Sequence, residues 1–135
     1  MNVLRTSITA FALLLAGSVV QAAPADPEAQ IAKALDGRVA GQPVDCIMLR
    51  NIRSSQIVDR TAVLYTMNGG TIYLARPTSG APFLRRDLAL ITDTHSPQLC
   101  GVDIVRLYDT SSRFEAGSIG LGKFVPYEKP GKGRR

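Results

Sequence analysis

Apolar and polar residues alternate most regularly from Thr61 to Pro77, TAVLYTMNGGTIYLARP, where two runs of period two are joined by Asn68-Gly69. Asn-Gly tolerates the positive φ angles of a tight two-residue turn, so the stretch predicts a β-hairpin. With Asn68 and Gly69 as the loop, Met67 pairs with Gly70, Thr66 with Thr71, Tyr65 with Ile72, Leu64 with Tyr73 and Val63 with Leu74. That register gathers Val63, Tyr65, Met67, Ile72 and Leu74 on a core face and leaves Leu64, Thr66, Thr71 and Tyr73 on a half-wet one.

The same reading along the chain predicts strands at Val44–Ile52, Gln56–Asp59, Leu99–Tyr108 and Leu121–Tyr127, with Ser54-Ser55 and Ser96-Pro97 as turns. Leu88–Ile91 is too short to separate strand from helical turn. Pro126 marks an edge or an ending, because proline gives no N–H to a ladder. Asp109–Gly117 reads as a polar loop and Gly117–Gly122 as a flexible turn into the last strand. Upstream, Asp26-Pro27-Glu28 has a carboxylate cap, proline at the first helical position and an acid in the first turn. A short helix carrying Ile31, Ala34 and Leu35 follows, with Gly37 as its stop. The fold class predicted is mainly β: a small antiparallel sandwich or barrel of five to six strands with one short N-terminal helix.

The first residues read differently. One charge within Met1–Arg5, an apolar run from Ile8 to Gly17 and the small-x-small Val20-Gln21-Ala22 make a secretory signal peptide, cut after Ala22 or alternatively after Ala25. The run is shorter than the ~20 residues of a spanning helix. Ser18 stands where a lipoprotein would carry its acylated cysteine. The chain then divides into residues 1–22 as signal peptide, 23–43 as helix and linker, 44–128 as a single β domain and 129–135 as a disordered basic tail. The expected location is periplasmic or secreted, with no transmembrane segment after cleavage.

Charge changes the picture less than the net +5 implies. After Ala22 there are 15 Lys and Arg against 11 Asp and Glu, a difference of 4, and Lys129, Lys132, Arg134 and Arg135 account for all of it. Within the near-neutral body Arg50, Arg53, Arg60, Arg76, Arg85 and Arg86 are met in their own region only by Asp59, and form a candidate anion-binding or partner-binding set. The competing reading is that these are solvated strand and loop charges paired across the sheet. The two cysteines, Cys46 and Cys100, allow one disulfide in an oxidising compartment. Closing so long a loop is worth ~4 kcal/mol in the chain-entropy account.

Gly37–Ile47, Ile52-Arg53-Ser54-Ser55, Thr71-Ile72-Tyr73, Arg76-Pro77, Ser96–Cys100 and Leu121-Gly122-Lys123-Phe124 together resemble a family of small exported proteobacterial proteins of unknown function with a two-cysteine frame. The likeness spans roughly Gly37 to Tyr127. It implies export and a single domain, and it carries no catalytic residue over to this chain.

Candidate chemistry is sparse. A Ser/His/Asp hydrolase would have to use His95, the only imidazole, with Ser96 beside it and Asp93 or Asp103 as orienter, in a segment that reads as a turn. Asp59, Asp93 and Asp103 offer no marked carboxylate pair for glycoside cleavage. One histidine and two separated cysteines do not make a zinc site, and Gly117–Gly122 lacks the Lys-Ser/Thr of a phosphate loop, so neither metal nor cofactor is expected. Nucleic acid is a poor partner for the expected compartment, and the aromatic content lacks stacking platforms, so it is not an expected partner. The function expected is a non-enzymatic binding or envelope-associated module. Its partner would be an anionic envelope component or an acidic protein, and the basic tail offers a membrane-surface contact. The alternatives are an inhibitor of an extracytoplasmic hydrolase, presenting Thr78–Pro82 or Thr110–Gly117, and a small hydrolase using His95.

Overall fold

The computed structural model describes residue 23 and residues 25–131; the predicted signal segment and tail residues 132–135 lie outside them. The described residues begin with helix α1 (Pro27–Ala34), followed by β1 (Val39–Ala40) and β2 (Cys46–Met48). A 3₁₀ turn at Leu49–Asn51 leads into β3 (Ile52–Val58), β4 (Ala62–Met67) and β5 (Ile72–Ala75). A second at Ala81–Phe83 precedes β6 (Ala89–Thr92), β7 (Gln98–Cys100), β8 (Ile104–Asp109), β9 (Phe114–Gly120) and β10 (Phe124–Glu128).

All pairing is antiparallel, in three sheets ordered β1-β10-β5-β4-β3, β2-β7 and β6-β8-β9, and none closes into a barrel. The protein is mainly β with one short helix, arranged as a sandwich. The five-stranded sheet is the middle layer. On one face Val63, Tyr65, Met67, Ala75 and Phe124 pack against Ile47, Leu99, Val105, Leu107, Ile119 and Leu121 of the smaller sheets and their connections. On the other, Val58, Ala62, Leu64, Ile72 and Leu74 pack under Ile31 and Leu35.

Helix α1 forms as its end signals predict. The Asp26 carboxylate accepts the Glu28 N–H at 3.2 Å, Pro27 opens the first turn, and Gly37 follows the helix at φ +68°. Arg76 forks onto Glu28 with two bonds of 2.9 Å, joining the helix to the end of β5.

The disulfide Cys46–Cys100 is present and links residues 54 apart in sequence. The cysteines face each other across β2 and β7 with Cα atoms 4.0 Å apart. Gly101 N–H donates to the Asp45 carbonyl, so the ladder bonds fall on the neighbouring pair. The cysteines thus occupy a non-hydrogen-bonded position, where antiparallel chains approach most closely.

The hairpin forms, but its predicted register is corrected by one residue. Val63 pairs with Ala75, Leu64 with Leu74, Tyr65 with Tyr73 and Thr66 with Ile72. The loop has three residues: Gly70 N–H donates to Met67 O and Met67 N–H to Thr71 O, both at 2.9 Å. Gly70 takes φ +90°, whereas neither Asn68 nor Gly69 is positive, so the turn is of the kind that ends in a left-handed bulge residue. The second glycine makes this longer loop accessible. The slip sends Ile72 and Leu74 to the face expected to be half wet, which is instead a second core beneath α1.

Other boundaries move for similar reasons. The described residues form ten strands, not five or six, because bends divide the apolar runs. Val44–Ile52 is broken by the 3₁₀ turn, Ser54-Ser55 lies inside β3 beside a bulge, and Leu99–Tyr108 is split where the Asp103 carboxylate accepts the Cys100 N–H at 2.7 Å. The predicted loop Asp109–Gly117 is a four-residue turn entering β9, and Gly117–Gly120 belongs to that strand. Glycine is needed there for close packing: a Cβ on Gly117 would press on the Phe83 ring, and one on Gly120 on the Thr78 and Ser79 hydroxyls. Val39–Ala40, in the predicted linker, extends the sheet as β1. Gly41 N–H donates to Pro126 O on that side, so the proline nitrogen faces Gly41, just past the end of β1, and the β10–β5 ladder loses no bond.

Candidate functional site

The six arginines singled out by the sequence fall into two groups. Arg60, Arg85 and Arg86 lie at one end of β3 and Arg50 and Arg53 at the other. From Arg53 to Arg60 the extended chain covers about 20 Å.

At the first end the arginines are mostly paired. Arg86 holds Asp59 through Nε and Nη2 at 3.0 and 2.8 Å, and Arg85 bridges Asp87 and Asp109 at 2.9 and 3.2 Å. Arg76, at the end of β5, is committed to Glu28. The carboxyls register this: hydrogen bonds from the facing guanidinium hold Glu28, Asp59 and Asp87 below their ordinary range. Backbone N–H donation from Ser112 does so for Asp109. For these residues the paired-surface reading describes the geometry.

The second end is different. Asn68, Gly69 and Gly70 project there as the tip of the β4–β5 hairpin, and cations flank both sides. On one, Asn68 N–H donates to Asn51 O at 2.8 Å, fixing the 3₁₀ turn that carries Arg50 against the tip. Arg53 lies at the β3 bulge beside Met67. On the other side Arg38 reaches from the segment after α1 and donates through Nη1 to the carbonyls of Gly70 and Tyr127, at 2.7 and 3.3 Å. Arg38, Gly69, Gly70, Thr71, Glu128 and Lys129 line one depression of about 290 Å³. Its single acid, Glu128, accepts the Thr71 hydroxyl. Among the described residues Arg38, Arg50, Arg53 and Lys129 have no acidic partner. Lys129 also leads directly into Lys132, Arg134 and Arg135 in sequence.

Sequence reading missed Arg38 because its place here depends on β1 pairing with β10. The recoverable signal was its Gly-Arg step just after a helix stop.

His95 is exposed in the β6–β7 connection. Ser96 spends its hydroxyl locally, accepting the Gln98 N–H at 3.2 Å and donating to the Gln98 carbonyl at 3.1 Å. Asp103 serves the Cys100 turn, and no hydrogen bond joins His95 to a serine or carboxylate among the described residues. No three His, Cys, Asp or Glu side chains come together with metal-ligand spacing among those residues.

Of the two predicted presenting loops, Thr78–Pro82 is folded down. Ser79 bridges to Gly120, and a Cβ on Gly80 would overlap the Ser118 carbonyl. The β8–β9 turn projects instead, with residues 110–115 exposed and the Asp109 carboxylate accepting the N–H groups of Ser111 and Ser112. An apolar patch of Val102 and Ile104 also lies beside the disulfide, rimmed by the 2.7 Å Lys123–Asp45 pair.

The chain matches no protein-family model, no curated protein and no solved structure. No described helix is long and apolar enough to cross a membrane.

Proposed function

We propose that the chain is an exported, non-enzymatic binding module that docks on phosphate-bearing components of the cell envelope through the basic pole around Asn68–Gly70. The disulfide supports the location, since such bonds persist in oxidising compartments. The observation that carries the binding reading is the charge imbalance at one end: Arg38, Arg50, Arg53 and Lys129 against Glu128, with Lys132, Arg134 and Arg135 following Lys129 in sequence. Guanidinium groups fork onto oxyanions, and among the described residues Arg38 Nε and Nη2 meet no acceptor while its Nη1 is anchored.

The test is sedimentation with phosphatidylglycerol vesicles. Wild type binds at low salt and releases at about 0.5 M, where screening is nearly complete. Arg50→Glu/Arg53→Glu weakens binding by at least about tenfold, in line with ~1 kcal/mol per charge near an anionic surface, and leaves stability unchanged. Binding indifferent to both salt and these substitutions overturns the reading. His95→Ala behaves as wild type.

The projecting β8–β9 turn favours a second reading, an inhibitor of an extracytoplasmic hydrolase. Under it, Phe114→Ala abolishes inhibition while vesicle binding is retained.

A further inference from the structure

The β3 and β6 strands are each the outermost of their sheets, and they face one another across an open groove. Gln30, Ser55, Gln56, Ile57, Arg86, Leu88, Ala89 and Leu90 line it, enclosing about 510 Å³.

The backbone groups turned into the groove follow from alternation. Met67 N–H bonds across to Thr71, so Met67, Tyr65 and Val63 address β5, while Thr66, Leu64 and Ala62 address Ser54, Gln56 and Val58 of β3. Ser55 and Ile57 therefore direct N–H and C=O away from the sheet. On the other wall, Gly120 exchanges bonds with Thr78 and Ser79, so Ile119 addresses Val105, and Arg106 and Tyr108 address Ile91 and Ala89. Leu90 is left pointing outward. No hydrogen bond outside the ladders engages Ser55, Ile57 or Leu90 among the described residues. The floor is the sandwich core itself, at Ile57 and Leu88, which are 8% and 7% exposed.

One end of the groove is closed. Asp59 accepts the Arg86 N–H at 2.7 Å, and Arg60 N–H donates to Leu84 O at 3.0 Å. At this closed end Asp59 is claimed by Arg86, while Arg60 has no acidic partner among the described residues, and no acid lines the groove. Among the described residues Arg60 is thus the one cation at this end without an acid of its own, since Arg85 and Arg86 are held by Asp59, Asp87 and Asp109.

We propose that this groove receives an extended segment of a partner polypeptide, which adds as a strand between β3 and β6 and brings a carboxylate side chain to Arg60 at the closed end. β3 runs toward that end and β6 away from it. A segment entering with its C-terminal part leading therefore lies parallel to β3 and antiparallel to β6, bonding Ser55 and Ile57 on one side and Leu90 on the other.

The probe is a fluorescein-labelled peptide of alternating Thr and Val ending in Asp, added to the oxidised protein. The expected result is saturable binding that shifts the amide resonances of Ser55, Ile57 and Leu90. Ser55→Pro removes an outward N–H and spares the β3–β4 ladder; it lowers affinity at least about tenfold with the melting temperature nearly unchanged. Gln56→Pro breaks the ladder and lowers the melting temperature. Replacing the peptide Asp by Asn, or Arg60→Ala, weakens binding severalfold. Absence of saturable binding, binding unaltered by both Ser55→Pro and Leu90→Pro, or a concentration-dependent dimer that Ser55→Pro dissolves overturns the proposal, the last by seating a second copy of this chain on the edge.

Discussion

Tyr65 is 3% exposed, its ring meets Phe124 edge-on at 6.0 Å, and its hydroxyl has no hydrogen-bond partner among the described residues. Burial pushes the phenol well above its ordinary range. A buried hydroxyl without a partner is a net cost of about 1–3 kcal/mol, so Tyr65→Phe, which keeps the ring packing, is expected to raise unfolding free energy by about 1 kcal/mol in urea titration. Gly80 supplies the opposite case. It sits at φ +75° against the Ser118 carbonyl, where any Cβ collides with backbone. Gly80→Ala is expected to lower stability by about 2 kcal/mol or more, since both the left-handed conformation and the close approach are lost.

Elements rest on faces, and the faces show what local pattern conveys. Alternation from Ala62 to Ala75 identified two strands and a turn, because a pleat reports its own period. It did not report register: Asn68-Gly69-Gly70 supports a loop of two residues or of three, and Gly70 at φ +90° decides for three. Once that choice is made, Ile72 and Leu74 require a cover, and Ile31 of α1 and Leu35 at its C-terminal cap supply it. Ile31→Ala is therefore expected to cost about 2–4 kcal/mol, far more than a helix lying loosely on the surface would lose, and to open the amides of Leu64 and Leu74 to hydrogen exchange. The breaks at Leu49–Asn51 and Gly101–Asp103 were equally missed: Arg50-Asn51 and Gly101 with Asp103 interrupt the apolar runs, but the apolar residues on both sides let each run read as one strand.

Across the whole molecule, charge and crosslink set the response to solvent. Glu28, Asp59, Asp87 and Asp109 are all held below their ordinary values. Depressed carboxylates stabilise above the unfolded-state pKa, near 4, and lose that contribution as pH falls through the folded value. Denaturant titrations should thus show little change from neutrality to about pH 5 and a decline below about pH 4, shallower in Arg86→Ala. The pairs are exposed, so added salt should blunt the effect. Half of the predicted cationic set proved to be tied up in these pairs, and two of the acids, Glu28 on Arg76 and Asp109 on Arg85, come from distant parts of the chain. Arg50 and Arg53 were recoverable from sequence; their convergence with Arg38 required the completed sheet.

The crosslink between Cys46 and Cys100 encloses β3 to β6, including the exposed Arg85-Arg86 step. A trypsin-like protease cutting there would leave two pieces that still travel as one band until a reductant is added. After such a cut the sulfur bridge serves as a tether that keeps a clipped molecule whole, and the hinge opened by the cut would sit on one wall of the β3–β6 groove.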